Sequence, residues 1–73
     1  MAVKFYRLSP KQYDGFRYQI AFFTPLPWEA VNWCYDDREN RRLRFPEIQG
    51  TDVKAYLELK NRNDLLYCLL CWA

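Results

Sequence analysis

An alternating aromatic segment at residues 16–23 constrains the fold more than any other part of the sequence. Phe16, Tyr18, Ile20 and Phe22 fall on one face of an extended chain, and Arg17, Gln19 and Ala21 fall on the other. A period of two over this length is typical of a half-buried β-strand. The segment therefore predicts a strand whose aromatic face belongs to the core.

Two further strands are predicted on either side of this segment. Residues 3–8 alternate loosely, and the connection that follows contains Ser9-Pro10 and Asp14-Gly15, which are typical turn sequences. We therefore expect residues 3–8 and 16–23 to form an antiparallel hairpin. Residues 43–45, directly before Pro46, predict a short strand.

A helix is predicted after Thr24-Pro25-Leu26-Pro27, with Pro27 at the first helical position, where a missing N–H is tolerated. Four residues follow helical spacing and are expected to face the core: Trp28, Val31, Cys34 and Tyr35. Trp33 lies about 140° from Trp28 around the helix, at 100° per residue, and is therefore expected to point away from the core.

The C-terminal third contains two segments of less certain periodicity. Residues 52–60 alternate as a strand would, but they also form a wide apolar helical arc, and we favour the helix over the strand. Residues 65–72 are apolar on both faces and predict a central strand. If helices cover only one side of the sheet, the apolar surface left over needs a curled sheet, a second copy or a partner to cover it.

These elements predict a single compact domain over residues 1–73. Its class is α+β: a small antiparallel sheet of three to four strands with one or two helices packed on it. With 51% hydrophobic and 19% aromatic residues, the composition is that of a globular chain. Burial of the aromatic rings is expected to reinforce a core that is small for its surface.

The composition argues against an enzyme. The chain has no histidine, the residue that most readily exchanges protons near neutral pH, and Ser9 is its only serine. Gly15 and Gly50 are the only glycines, so a glycine-rich phosphate loop is not expected. Cys68 and Cys71 match a C-x-x-C pattern, but we expect structural free thiols and neither a metal site nor a cofactor.

The compartment is expected to be a reducing cytosol. The first residues do not resemble a secretory signal, and the longest apolar run, residues 65–73, is about half as long as a membrane span. Three cysteines, an odd number, also suit free thiols.

The densest basic feature of the sequence provides the candidate binding site. The net charge of +2 is small, and residues 21–40 carry four acidic side chains against one basic. Arginines then cluster next to two aromatic residues, which gives six candidate partner-binding residues: Trp33, Tyr35, Arg38, Arg41, Arg42 and Arg44. On a strand, Arg42 and Arg44 share one face, from which they can contact phosphates or an acidic protein patch. The cluster as a whole fits a solvated surface, a protein interface or a nucleic-acid contact.

The acidic neighbours of this cluster, Asp36, Asp37 and Glu39, would repel phosphate, and we expect them to pair with the arginines on the surface. Further exposed rings are expected at Tyr6, Tyr13, Tyr56 and Trp72.

In length, aromatic content and lack of a catalytic inventory, the whole chain resembles the small proteins with which bacteriophages take over their host. Within that class it resembles phage regulators that bind bacterial RNA polymerase and inhibit initiation or cause antitermination. The resemblance implies a non-catalytic regulator in the host bacterial cytosol, whose partner is a large host protein assembly, with RNA polymerase favoured. It rests on no alignable motif, so no site residue is carried over.

Two other functions stay open. An anti-CRISPR or other anti-defence inhibitor would share the lack of catalytic groups. A single-stranded RNA-binding module would require Trp33, Tyr35, Arg42 and Arg44 on one exposed surface. Nucleic acid is the secondary partner, no membrane is expected, and self-association is possible.

Overall fold

Four strands and two helices occupy residues 3–47 and 52–72, the part of the chain that the computed structural model describes. In chain order they are β1 (Val3–Arg7), β2 (Tyr18–Phe22), α1 (Trp28–Asp36), β3 (Arg41–Arg44), β4 (Ala55–Leu59) and α2 (Arg62–Trp72). The strands form one sheet in the order β1-β2-β4-β3, and every neighbouring pair is antiparallel. The predicted α+β class is confirmed.

The predicted hairpin is present, with Phe5 of β1 opposite Ile20 of β2. Its connection closes through a hydrogen bond of 2.8 Å from the Gly15 amide to the Pro10 carbonyl. Asp14 and Gly15 both have positive φ, at 57° and 90°. Asp and Gly are the residues that adopt this left-handed conformation most readily, and this explains why the turn lies here.

The two faces of the sheet differ in character because side chains alternate along each strand. Both helices pack on one face, where a single cluster of buried side chains forms the core: Ile20, Phe22, Cys34, Leu57, Leu59, Leu65 and Cys68. The register places eight other residues on the opposite face, called the open face below: Lys4, Tyr6, Gln19, Ala21, Arg42, Arg44, Tyr56 and Glu58.

Phe16 departs from the predicted aromatic stripe. It is buried, as expected, but it precedes β2, and its ring lies 4.3 Å from the guanidinium of Arg42 on the open face. The stripe within β2 keeps the predicted side, with Ile20 and Phe22 buried and Tyr18 packed against the core.

The preference for a helix over residues 52–60 was wrong, and the strand alternative was right. Residues Ala55–Leu59 form β4, which pairs with β2 on one side and β3 on the other. In this strand the alternation places Leu57 and Leu59 in the core and Glu58 on the open face.

The predicted central strand at residues 65–72 was also wrong, because this segment lies in α2. The two central positions of the sheet are occupied by β2 and β4, and a helix can bury Leu65 and Cys68 through their i, i+3 spacing. Asp64 in the first turn complements the helix dipole, and the leucines that follow are good helix formers.

Helix α1 forms where predicted, with Pro27 one residue earlier than expected, at the N-cap. The helix is rotated relative to the predicted core face. Trp28 and Tyr35 are exposed, at 69% and 55%, whereas Ala30 and Cys34 are buried. Ala30 has a small side chain, so this face can approach the sheet closely.

Candidate functional site

The six predicted site residues do not form one surface. Trp33 and Arg41 lie on the helix-covered side of the sheet, Arg42 and Arg44 lie on the open face, and Tyr35 and Arg38 lie near the C-terminal end of α1. The six residues therefore cannot contact one partner surface together. Each of the three groups has its own surroundings.

Trp33 belongs to a packed aromatic cluster between the two helices, contrary to the prediction that it points to solvent. Its ring stacks on Tyr67 at 5.4 Å and lies 5.3 Å from Trp72. The guanidinium of Arg41 lies 4.0 Å from the Trp33 ring centroid, and its Nη1 donates to the Trp33 carbonyl at 2.7 Å. Arg41 also pairs with Asp64 at 3.2 Å, so both predicted site residues hold the helices in place.

The prediction failed because it measured the orientation of Trp33 from Trp28. Since Trp28 is itself exposed, the position about 140° away faces the protein. Trp72 was likewise expected to be exposed, and it is half-buried in the same cluster.

Tyr35 and Arg38 are exposed, and the Arg38 guanidinium lies 5.0 Å from the Tyr35 ring. The predicted ion pairs between the arginines and Asp36, Asp37 and Glu39 are wrong, because none of the salt bridges among the described residues joins them. Arg41 pairs with Asp64 and Arg42 pairs with Glu58, both distant in sequence. Tyr35 and Arg38 thus form a small isolated pair on the surface.

A fully buried carboxylate lies on the open face. Glu58 has no exposed surface, although the helices pack on the other side of the sheet. Its Oε1 accepts a hydrogen bond of 2.6 Å from Arg42 Nε, and its Oε2 accepts one of 3.0 Å from Gln19. Arg44 Nε lies 3.6 Å from Oε1. The carboxylate therefore hydrogen-bonds to one arginine and lies beside a second, and the register confirms that Arg42 and Arg44 share a face.

Rings and further cations surround this network. The Phe16 ring lies beneath Arg42 and also beneath Lys60, whose Nζ is 5.0 Å from the ring centroid. Lys4 Nζ lies 5.4 Å from the centroid of the exposed Tyr6 ring. The open face thus combines aromatic rings with an excess of positive charge.

The outer side of α2 exposes several apolar side chains. Leu66, Tyr67 and Leu70 form what we call the α2 outer surface, and Leu70 is 87% exposed. From Leu65 to Trp72 the helix carries no charged side chain, so the exposed half is as apolar as the buried half. Large exposed apolar side chains grouped on one helix mark a contact site more often than a solvated surface.

A groove adjoins the α2 outer surface. It has a volume of about 370 Å³ and lies between β1, β2 and the start of α2, with six lining residues: Phe5, Arg7, Tyr18, Arg62, Leu65 and Leu66. Among the described residues its charged lining is two arginines, and the groove is more polar than apolar.

The three cysteines are free in this structure, and Cys34 and Cys68 are buried while Cys71 is exposed. Burial raises the pKa of Cys34 to about 11 and that of Cys68 to about 12. The buried thiols are therefore poor nucleophiles at neutral pH. Among the described residues, no group of three or more His, Cys, Asp or Glu side chains is arranged to hold a metal ion.

Sequence reasoning missed the α2 outer surface and the burial of Glu58. The first had a visible signal, because residues 65–72 are apolar on both faces, but that pattern was assigned to a strand. The second had none, because a glutamate in an alternating segment is ordinarily the exposed partner of its apolar neighbours.

Comparison with known proteins identifies no relative of this chain. No protein-family model, no curated protein and no solved structure matches the chain. None of the described helices is long and apolar enough to cross a membrane. Fold and surface chemistry define a small α+β domain with two chemically distinct surfaces: the positively charged open face of the sheet and the apolar α2 outer surface.

Proposed function

We propose that this protein is a non-catalytic regulator that docks on a larger protein through the α2 outer surface. The observation that carries the proposal is the exposure of Leu70, at 87%, one helical turn after the exposed Leu66. Residues four apart on a helix are neighbours, so the two leucines form a continuous ridge. Apolar ridges of this kind serve as anchors in protein–protein interfaces.

The adjoining groove indicates the chemistry of the partner. Leu65 and Leu66 provide an apolar lining, while Arg7 and Arg62 place two positive charges at the same groove. A complementary segment would carry apolar side chains for the ridge and carboxylates for the arginines. Guanidinium groups stay protonated and cannot transfer protons at ordinary pH, so this site suits recognition rather than catalysis.

Bacterial RNA polymerase is the partner that we propose to test first, with the protein acting in the bacterial cytosol of a phage-infected host. The support is the resemblance in size and character to phage regulators of transcription, together with an accessible apolar ridge on a very small domain. A defence complex, as expected for an anti-CRISPR protein, is the second candidate partner.

The test is a binding titration of the tagged protein with purified bacterial RNA polymerase. Leu70→Glu should weaken binding at least about 30-fold, because a buried interface anchor contributes about 2 kcal/mol or more. Trp28→Ser is the matched control, since Trp28 is 69% exposed but lies on α1. The control should bind as tightly as the unmodified chain.

Two outcomes would contradict parts of the proposal. Equal loss in Leu70→Glu and Trp28→Ser would place the contact elsewhere on the molecule. If RNA polymerase does not bind while a purified defence complex does, and Leu70→Glu abolishes that binding, the docking surface stands and the partner changes.

A further inference from the structure

We infer that the open face of the sheet binds single-stranded nucleic acid, independently of the docking surface on α2. The inference starts from the charge of this face. Four cations lie on or beside it: Lys4, Arg42, Arg44 and Lys60. Two carboxylates oppose them, Glu58 and Asp14, and both are already paired with Arg42.

The buried carboxylate orients the arginines for an external anion. Glu58 Oε1 accepts a hydrogen bond from Arg42 Nε at 2.6 Å and forms an ion pair with Arg44, whose Nε lies 3.6 Å away. Among the described residues, the Nη atoms of Arg44 have no hydrogen-bond partner, and its side chain is 53% exposed. An ion pair on the Nε side leaves the outer N–H groups of this guanidinium free for a phosphate oxygen.

Aromatic rings on the same face provide stacking positions. Tyr6 and Tyr56 lie on strands separated by β2, and the register offsets them by two residues. From strand spacing and rise, their backbones are about 12 Å apart, so the rings can take two separate bases. Ala21, opposite Tyr56, is fully buried, and Tyr56 is half-buried while Tyr6 is exposed, so larger side chains form the surface between the two rings.

Rings interleaved with cations on an exposed sheet suit a single strand, whose bases are free to stack while its phosphates meet the positive charges. In a duplex the base faces are stacked inside the double helix, so a duplex would bind only through contacts between its phosphates and the cations. The occupant is therefore a single strand of RNA or DNA, with no base-edge recognition assigned.

The experiment measures fluorescence anisotropy of labelled oligouridylate and oligothymidylate over a range of salt concentrations, with a duplex of matched length as competitor. The unmodified protein should bind both single strands in preference to the duplex. Arg44→Ala should weaken binding and reduce the slope of log affinity against log salt by about 0.7, the value for one phosphate contact on a single strand. Tyr56→Leu should weaken binding at least about fivefold and leave the slope unchanged.

Arg38→Ala is the matched control, because it removes one exposed cation away from the open face and should change neither quantity. Arg44→Lys keeps the charge and should keep the slope, which separates a lost phosphate contact from a disturbed fold. The inference is overturned if Arg38→Ala and Arg44→Ala have equal effects, or if duplex and single strands compete equally. It also fails if Arg44 and Tyr56 substitutions weaken only protein binding, which would make the open face a protein interface.

Discussion

Arg42 Nε donates a hydrogen bond of 2.6 Å to Oε1 of Glu58 on the neighbouring strand, and the accepting carboxylate has no exposed surface. The pair lies on the side of the sheet away from the helices. A carboxylate at such a position is costly unless its oxygens are bonded. Gln19 and Arg44 complete its surroundings, so a polar network covers this side of the sheet.

Removing Arg42 should therefore destabilise the fold. Arg42→Ala leaves the buried carboxylate short of its closest partner and should lower the free energy of unfolding by about 1.5–3 kcal/mol. Urea denaturation measures this loss. The double variant Arg42→Met with Glu58→Leu should lose less than Arg42→Ala, because it leaves no unpaired charge. A loss under about 0.5 kcal/mol in Arg42→Ala would show that water replaces the arginine.

Ile20 should be among the most sensitive core positions, because it is fully buried in β2. Ile20→Ala should cost about 2–5 kcal/mol and Ile20→Val about 0.5–1.5 kcal/mol, since each leaves a cavity in proportion to the atoms removed. Thermal melting of the milder variant keeps the measurement possible if Ile20→Ala does not fold. An unchanged melting temperature in both variants would be incompatible with the burial of this side chain.

Two leucines of α2 should behave in opposite ways. Leu65 is buried and Leu70 is exposed. Leu65→Ala should lose about 2–5 kcal/mol of unfolding free energy, whereas Leu70→Glu should stay within about 0.5 kcal/mol of the unmodified chain. Size-exclusion chromatography of Leu70→Glu also reports self-association: a drop in apparent mass relative to the unmodified protein would show that α2 pairs with a second copy. Equal destabilisation by both changes would mean that α2 is oriented differently.

Trp33 should contribute to stability. Trp33→Ala removes ring contacts with Tyr67 and Trp72 and the surface on which Arg41 lies, and should cost at least about 2 kcal/mol. Tyr35→Ala, on the same helix but exposed, is the comparison and should stay within about 0.5 kcal/mol. Chemical denaturation of the two variants side by side decides between a structural Trp33 and an exposed one.

The buried thiols should make stability depend on alkaline pH. Burial raises the pKa of Cys34 from 9.0 to about 11 and that of Cys68 from 9.0 to about 12. The unfolded chain therefore ionises first as pH rises, so the stabilising contribution is complete below about pH 9 and is lost as pH rises through the folded values. Urea denaturation across this range should show the decline, and Cys34→Ala should reduce its slope. A flat profile in the unmodified chain would argue against burial of the thiols.

Alkylation offers an independent measurement on the same residues. Iodoacetamide at mildly alkaline pH should modify the exposed Cys71 first, and Cys34 and Cys68 only in denaturant. Mass spectrometry of peptides identifies the modified residue. Rapid modification of Cys34 in the folded protein would contradict its position in the core.

The hairpin could be predicted from the sequence because its information is local. Residues 18–22 alternate between the two faces of β2, and Asp14-Gly15 supplies the left-handed conformations that the turn requires. Side-chain alternation also placed Arg42 and Arg44 on one face before any partner was known. The site prediction failed at Trp33, because the rotation of a short helix depends on which side meets the sheet.

Sequence by itself determined the α+β class, the β1–β2 hairpin, the position of α1 and the shared face of Arg42 and Arg44. Tertiary structure alone decided that residues Ala55–Leu59 form a β-strand while residues Arg62–Trp72 form an α-helix. Both segments are apolar enough for either conformation. The sheet has two central positions, which β2 and β4 fill, and β4 pairs on both sides and leaves the next segment to cover the core. Burial of Glu58 was decided in the same way, since the partners that make it tolerable come from β2 and β3.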